Sequence, residues 1–194
     1  MSEKLSKNHG ESQTEKKPGI KFEHDWPIEE LAHFVSDVRT EEDNHEFRRQ
    51  ILTPEQVREK LENYLKNPNA IELVLTIGDE LIGCAFSFEE FREDLEKQIP
   101  GINLFSDGIE RIFCIREVDV KKKYRGRGFG RMIIEEIMQE VEQKGATKII
   151  LSTFPYEDNP AFRLYKKIGF KGVAPMAEQI KKSFYYMSYD CAKK

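Results

Sequence analysis

Several features that would place the chain in a specialised class are missing from its sequence. No apolar run approaches the roughly 20 residues that a membrane-spanning helix needs, and the polar residues 1–19 carry no hydrophobic signal segment. The three cysteines form no CxxC pair, and their odd number argues against a disulfide framework. We therefore expect a protein of the reducing cytoplasm that does not act within a membrane.

The sequence also lacks the short motifs of several enzyme classes. Its four histidines show neither HxxxH nor HxH spacing, which argues against a metal site. No GxSxG string indicates a serine hydrolase, and no GxxxxGK[ST] string indicates a Walker A phosphate loop. Metal and serine-hydrolase chemistry are therefore disfavoured.

Positive charge is concentrated in one short stretch of an otherwise acidic chain. The formal net charge is −4, but six of the 31 cations lie between residues 121 and 131. Without these six, 25 cations would face 35 carboxylates. A compact cationic spot on an acidic surface suits a small polyanion better than a long nucleic acid.

Hydrophobic periodicity predicts one mixed α/β domain over residues 20–194, preceded by a disordered polar tail at 1–19. Pro27 is expected to begin a first helix, and the capping box Thr53-Pro-Glu-Gln a second. The alternating segments "AIELVLTI" and "ELIGCAFSF" predict a β-hairpin.

The second half of the chain alternates between strands and helices. The strand "IERIFCIREVDV" precedes a helix over 132–141 that Gly145 ends, and the strand "ATKIILSTF" precedes a helix from Asn159 to Gly169. A short strand after Gly169 and a last strand, "SFYYMSYDC", complete the order. Residues 89–108 favour a short helix followed by a loop.

Three alternate glycines stand between the predicted strand and the helix at 132–141. In "KKKYRGRGFGR", Gly126, Gly128 and Gly130 would let bare backbone N–H groups approach a ligand, and the helix N-terminus adds a positive dipole end. A Rossmann turn would need GxGxxG, with an acidic residue about 20 positions later; here the spacing is GxGxG, and the next strand, "KIILSTF", has no acid at its end. The pattern favours the binding of phosphate groups.

Two motifs in order carry a family resemblance. The string RxxGxG, formed by Arg125, Gly128 and Gly130, is followed about thirty residues later by "NPAFRLYKKIGF". Together they resemble the GNAT superfamily of N-acetyltransferases. The resemblance implies a mixed, mostly antiparallel central sheet, splayed into a V-shaped cleft for acetyl-CoA and flanked by helices.

The resemblance also implies a set of cofactor-binding residues. Val118 and Val120 would bind the pantetheine arm through their backbones, and one of their amides would polarise the thioester carbonyl. The glycine turn would bind the pyrophosphate, and Asn159 would contact the cofactor or only cap its helix, because the family's usual asparagine position is Asp158 here. The cofactor-binding candidates are Val118, Val120, Arg125, Gly126, Arg127, Gly128, Phe129, Gly130, Arg131 and Asn159.

For catalysis, the resemblance implies that Tyr165 protonates the departing thiolate of CoA. Glu117 is the candidate general base, although strand alternation turns it away from Val118 unless a bulge intervenes. Glu89 and Glu90 are alternatives. The position eleven residues before Arg125, where some members carry their base, is Cys114.

The expected function is transfer of an acetyl group from acetyl-CoA to a primary amine of a small molecule or a protein, through a tetrahedral intermediate. The resemblance leaves a homodimer open. Phe91, Leu95, Ile99 and Phe105, in a connection longer than the family's usual hairpin, are expected to form a lid or a dimer contact. Two alternatives stay open: a catalytically silent acyl-CoA-binding regulatory module, and a nucleic-acid patch, which the acidic balance disfavours.

Overall fold

The computed structural model describes residues 19–41, 51–98, 111–173 and 185–191. Most of the predicted tail, and both Ile99 and Phe105, lie outside the described residues. The strands are β1 Ile20–Glu23, β2 Ile71–Ile77, β3 Glu80–Glu90, β4 Ile112–Val120, β5 Lys148–Thr153, β6 Lys171–Gly172 and β7 Tyr185–Asp190. The helices are α1 Ile28–Thr40, α2 Pro54–Leu65, α3 Arg92–Gln98, α4 Phe129–Gln143 and α5 Pro160–Ile168.

The seven strands form one open sheet in the order β1-β2-β3-β4-β5-β7-β6. Every neighbouring pair is antiparallel except β4 and β5, which α4 connects in parallel. The mixed, mostly antiparallel sheet predicted from the sequence is therefore confirmed.

Apolar residues cover both faces of the sheet. On one face, the fully buried Ile133, Ile134 and Ile137 of α4 belong to the largest core cluster. On the other face, Leu31 of α1 and Leu61 of α2 belong to a second cluster, in which the apolar faces of these helices pack on β2 and β3. Full burial of one such side chain contributes about 1.5–3 kcal/mol, so these two layers supply most of the hydrophobic stabilisation.

Local sequence signals set the helix ends. Thr53 and Gln56 exchange both hydrogen bonds of the predicted capping box. Gly145 and Gly169 have φ values of 86° and 115°, the left-handed conformation that ends a helix most easily at glycine. The first helix begins at Ile28, one residue later than predicted, because Pro27 stands at the capping position in an extended conformation.

A β-bulge interrupts β4 where the sheet opens. Pairing with β3 passes from Phe86↔Glu117 to Ser87↔Ile115, so Arg116 is the extra residue. Pairing with β5 ends at Ile115↔Leu151, although both strands continue. Beyond this point β4 and β5 separate, and the V-shaped opening lies between them.

No described helix has the length and apolar content that crossing a membrane requires.

Candidate active site

The edge of β4 beyond the bulge presents backbone groups to the opening. Successive residues of an antiparallel strand direct their backbone groups alternately to the two sides. The N–H of Lys121 donates to the carbonyl of Ile82 on β3 at 2.9 Å. The backbone groups of Val120 and Val118 therefore point away from β3 and into the opening, while their side chains pack against the α4 core cluster.

The glycine turn at the end of this strand depends on glycine at two of its three positions. Gly126 and Gly128 have φ values of 73° and 91°, which strain any residue with a Cβ atom. A Cβ at either position would meet no atom within 4 Å, so the turn is open on that side. Gly128 is the N-cap of α4, and the first N–H groups of this helix lack partners in their own helix.

Arg125 fixes the turn to its surroundings. Its Nε donates to the carbonyl of Val120 at 2.8 Å and its Nη2 to the carbonyl of Val38 on α1 at 3.4 Å. The guanidinium therefore occupies the Val120 carbonyl in the opening.

Carboxylates already pair with part of the cationic stretch. Lys121 and Lys123 contact Oε1 of Glu80 at 3.1 and 2.8 Å, and the hydroxyl of Tyr124 donates to Oε2 at 2.7 Å. Hydrogen bonds from Lys123, Tyr124 and Lys121 together lower the pKa of Glu80 to about 2. The charge that this stretch can offer a ligand is smaller than its sequence indicates.

A hollow of about 590 Å³ lies beside the turn, lined by Glu41, Lys121, Lys122 and Lys123. Within it, Oε2 of Glu41 accepts the backbone N–H of Lys122 at 3.1 Å. A carboxylate thus binds an N–H group at the end of β4, in a place that suits anions.

The remaining turn residues also contact the protein. The guanidinium of Arg127 lies 5.9 Å from the ring centroid of Tyr124, and Phe129 meets that ring edge-on at 5.9 Å. Arg131 pairs with Glu135 one helical turn later, at 2.7 Å. Phe129 is buried, so it anchors the turn to the core rather than facing a ligand.

Tyr165 lies on the same side of the sheet as Val118 and Val120. It is buried in α5, belongs to the α4 core cluster, and packs against Phe170 with ring centroids 5.9 Å apart. The structure thus brings the predicted acid and the predicted cofactor strand into one region of the core.

Asn159 uses its side chain to build the start of α5. Its Oδ1 accepts the N–H of Ala161 at 3.0 Å, and its Nδ2 donates to Oγ1 of Thr153 and to the carbonyl of Phe154. The predicted helix cap is confirmed. The same bonds tie α5 to the end of β5, at one wall of the opening.

Glu117 faces the opposite side of the sheet, towards α1 and α2. Its neighbour across the strand pair is Phe86, which belongs to the α1/α2 cluster, whereas Val118 packs on the α4 side. Its Oε2 contacts Nη2 of Arg39 at 2.8 Å and Nζ of Lys60 at 2.7 Å. The bulge is present, but it leaves the Glu117 and Val118 side chains on opposite faces.

The sequence of the chain matches a known protein family. The model of the Acetyltransferase (GNAT) family matches residues 30–170, more than half of the chain. The chain belongs to the GNAT acetyltransferase family. No curated protein sequence matches it significantly.

Solved GNAT structures share the fold at low sequence identity. An acetyltransferase of the GNAT family from Streptococcus pneumoniae is 19% identical, with 89% of this chain and 99% of that one covered and a TM-score of 0.63. YncA from Salmonella typhimurium, solved with its cofactor acetyl-CoA, is 12% identical over 91% and 96% of the chains, with a TM-score of 0.61. NAA60 from Arabidopsis thaliana, solved with a bisubstrate analogue, is 19% identical over 89% and 99%, with a TM-score of 0.60.

The alternative acids of this GNAT chain are held in ion pairs. Both carboxylate oxygens of Glu89 accept hydrogen bonds from the Arg111 guanidinium. These bonds are the main cause of the lowered pKa of Glu89. Glu90 pairs with Arg116, the residue of the bulge. Burial raises the pKa of Cys114 well above its usual range, which disfavours the thiolate that a base would need.

The predicted lid residues of the GNAT chain differ in exposure. Phe91 is exposed, whereas Leu95 is almost fully buried and packs with Ile112, Cys114 and Ile150. α3 is therefore anchored on the sheet through Leu95, and of these two described residues Phe91 faces solvent.

Sequence reasoning missed the partners of Glu117. Arg39 follows Val35 by four residues on the apolar face of α1, and Lys60 stands between Val57 and Leu61 on α2. A cation in an apolar stripe is a usable signal, because a buried cation requires an anionic partner.

Within residues 19–41, 51–98, 111–173 and 185–191, no three His, Cys, Asp or Glu side chains form a group that could hold a metal ion.

Proposed function

We propose that the protein transfers the acetyl group of acetyl-CoA to a primary amine. The observation that carries this proposal is the glycine turn. Two left-handed glycines, Gly126 and Gly128, lie between the splayed strand and α4, whose first N–H groups lack helical partners. Such a turn binds pyrophosphate through backbone N–H groups and the helix dipole. Residues 125–131 would form this site, with Lys121 to Lys123 adding positive charge.

The pantetheine arm would follow the open edge of β4. Val118 directs its backbone groups into the opening, and its amide would donate to the thioester carbonyl as negative charge develops there. Val120 offers its N–H, because its carbonyl accepts from Arg125. Asn159 would position the opposite wall through its bonds to Thr153 and Phe154.

The reaction would be direct attack. The amine lone pair forms a bond to the acetyl carbon, a tetrahedral intermediate forms, and the carbon–sulfur bond breaks. Tyr165 would protonate the thiolate, a mildly uphill transfer because tyrosine and thiol have ordinary pKa values of about 10 and 8.5. Glu117 would accept the amine proton from the α1/α2 side, where it lies one residue from Val118 on β4.

The acceptor is a small molecule or a protein, and assays with both kinds of amine would identify its class. Measurement of the molecular mass in solution would show whether the protein dimerises. A cytoplasmic location is part of the proposal and is supported by the three cysteines, none of which forms a disulfide.

A ligand comparison on the full chain tests the proposal. Thermal unfolding is followed with acetyl-CoA, CoA, ATP and NAD at equal concentrations. At 100 times its Kd, a ligand stabilises the fold by about 2.7 kcal/mol, which is several degrees for a domain of this size. Stabilisation by the two CoA species alone, followed by CoA release with members of an amine panel, would support the proposal.

Other results would contradict it. An equal shift with ATP would mean that the turn recognises phosphate without selecting CoA. Tight CoA binding with no turnover on any amine would favour the catalytically silent module.

A further inference from the structure

The ammonium group of Lys60 contacts Glu117, the residue that we propose as the general base. Nζ of Lys60 is 2.7 Å from Oε2 of Glu117 and 5.3 Å from the ring centroid of Tyr64. A carboxylate combined with an aromatic face is a favourable site for a primary ammonium. Lys60 thus occupies a place that suits an amine substrate.

The burial of this pair is uneven. The Lys60 side chain is 32% exposed, and that of Glu117 is 1% exposed. The ion pairs of five further lysines have carboxylates that are at least 36% exposed: those of Lys97, Lys121, Lys123, Lys148 and Lys166. Lys60 therefore reaches from the surface of α2 to a buried acid, whereas these five pairs lie on the surface.

The Lys60–Glu117 pair is adjacent to Val118, the residue of β4 that we propose binds the thioester. Glu117 immediately precedes Val118, so their Cα atoms are about 3.8 Å apart. Val118 directs its backbone into the opening, while Glu117 directs its carboxylate to the α1/α2 side. The amine of Lys60 is therefore held on the acceptor side of the residue proposed to bind the thioester.

We propose that Lys60 is an internal acceptor, which the enzyme acetylates on Nζ when no external amine is present. This inference rests on the proposed function. Nζ loses a proton to Glu117, and its lone pair forms a bond to the acetyl carbon. The carbon–sulfur bond breaks, the thiolate takes a proton from Tyr165, and the second proton lost by the nitrogen restores the Tyr165 hydroxyl. The products are an amide and CoA, and one proton is released to solvent.

Acetylation changes the charge at this place. The amide nitrogen is neutral, so it no longer pairs with Glu117, and that carboxylate keeps Arg39 as its cationic partner. The acetylated side chain then occupies the α1/α2 side of β4, where an external amine would approach.

Mass spectrometry of the full chain tests the inference. The protein is incubated with acetyl-CoA and no amine, and acetylated lysines are quantified by peptide mapping over time. Lys66, the exposed C-cap of the same helix, reports non-enzymatic acetylation by acetyl-CoA. We expect Lys60 to be acetylated at least roughly tenfold faster than Lys66, because its amine is held in place.

Dilution and substitution separate the mechanisms. An internal reaction has a rate constant that does not change over a hundredfold dilution of the protein. Lys60→Arg retains a cation for Glu117 and should lose the modification, whereas Lys66→Arg should retain it at Lys60. Glu117→Gln should slow acetylation of Lys60 roughly a hundredfold, provided that the variant melts cooperatively. If Glu117→Gln does not melt cooperatively, acetylation of the Lys60→Arg and Lys66→Arg variants tests the inference.

The outcomes distinguish this inference from the proposed function. Turnover of an external amine with no acetyl group on Lys60 would overturn the inference and leave the proposed function intact. A rate that rises with protein concentration would replace internal transfer with transfer between molecules and would overturn the inference as well. No stabilisation by CoA and no acetylation would overturn both.

Discussion

Oε2 of Glu117 on β4 lies 2.8 Å from Nη2 of Arg39 on α1, with 1% and 3% of the two side chains exposed. The pair joins the first helix to the strand that lines the opening. Removing one partner of a buried ion pair costs about 3–5 kcal/mol when no other partner compensates the remaining charge. Because Lys60 also contacts Glu117, we expect Arg39→Met to lower the free energy of unfolding by up to this amount, measured by urea denaturation.

The matched control for Arg39 is an ion pair on the surface of α2. Arg58 and Glu62 are 4.0 Å apart and both about half exposed. Arg58→Ala should change the free energy of unfolding by no more than about 0.5 kcal/mol. Equal effects of the two substitutions would show that the Glu117–Arg39 pair contributes nothing beyond surface charge.

Two glycines of the turn should respond differently to alanine. Gly128 has a φ of 91°, so Gly128→Ala should destabilise the fold by roughly 1–2 kcal/mol. At Gly130 φ is not in the left-handed range, and an added Cβ would lie 3.7 Å from Leu164, an ordinary contact. Gly130→Ala should leave the free energy of unfolding unchanged or raise it by up to about 1 kcal/mol.

Calorimetry of both glycine variants with CoA extends the test. Because Gly128 is the N-cap of α4, strain there should also weaken CoA binding. A Gly128→Ala protein with normal stability and normal affinity would mean that the turn tolerates a side chain.

Tyr165→Phe tests the proposed acid. Loss of the hydroxyl should lower kcat roughly a hundredfold while the thermal shift with CoA stays the same, because general acid catalysis acts on the departing thiolate. Tyr189→Phe is the control, since Tyr189 packs against the same ring, Phe170, with centroids 5.6 Å apart. Similar kcat losses in both variants would assign Tyr165 to packing alone.

Glu80 should stabilise the fold in a pH-dependent way. Its folded pKa of about 2 lies below the ordinary value of 4.5, so ionisation of Glu80 favours the folded state. This contribution is fully present above about pH 4.5 and is lost as the pH falls towards 2. The stability difference between wild type and Glu80→Gln should therefore be constant near neutral pH and shrink in acid, as urea unfolding at several pH values would show.

The same substitution should affect the cofactor. Glu80→Gln removes the carboxylate that pairs with Lys121 and Lys123, so CoA should bind somewhat more tightly at low salt, with the gain disappearing at high salt. Weaker CoA binding at low salt would mean that Glu80 positions these lysines for the ligand.

Local signals made much of the fold predictable. The capping box at Thr53, the cap at Asn159 and the stop at Gly169 are short-range features, and each is present as predicted. Helix α3 and the short strand after Gly169 were also predicted from local pattern. The start of α1 was misplaced by one residue, because proline occurs both at the cap and at the first helical position.

Long-range pairings were not predictable in the same way. The glycine turn is visible in the sequence because its function needs particular residues at fixed spacing. The partners of Glu117 come from residues 39 and 60, and a single sequence does not show which cation meets which acid. The neutralisation of Lys121 and Lys123 by Glu80 was missed for the same reason.

The bulge at Arg116 divides β4 into two segments of opposite parity. Before it, odd-numbered Phe113 and Ile115 face α4; after it, even-numbered Val118 and Val120 do. Cys114 and Glu117 consequently share a face, although residues three positions apart lie on opposite faces of a regular strand. Positions on this strand can be matched to those of a relative by counting back from the glycine turn only as far as the bulge. A relative without the extra residue would carry the equivalent of Cys114 one position closer to its own turn.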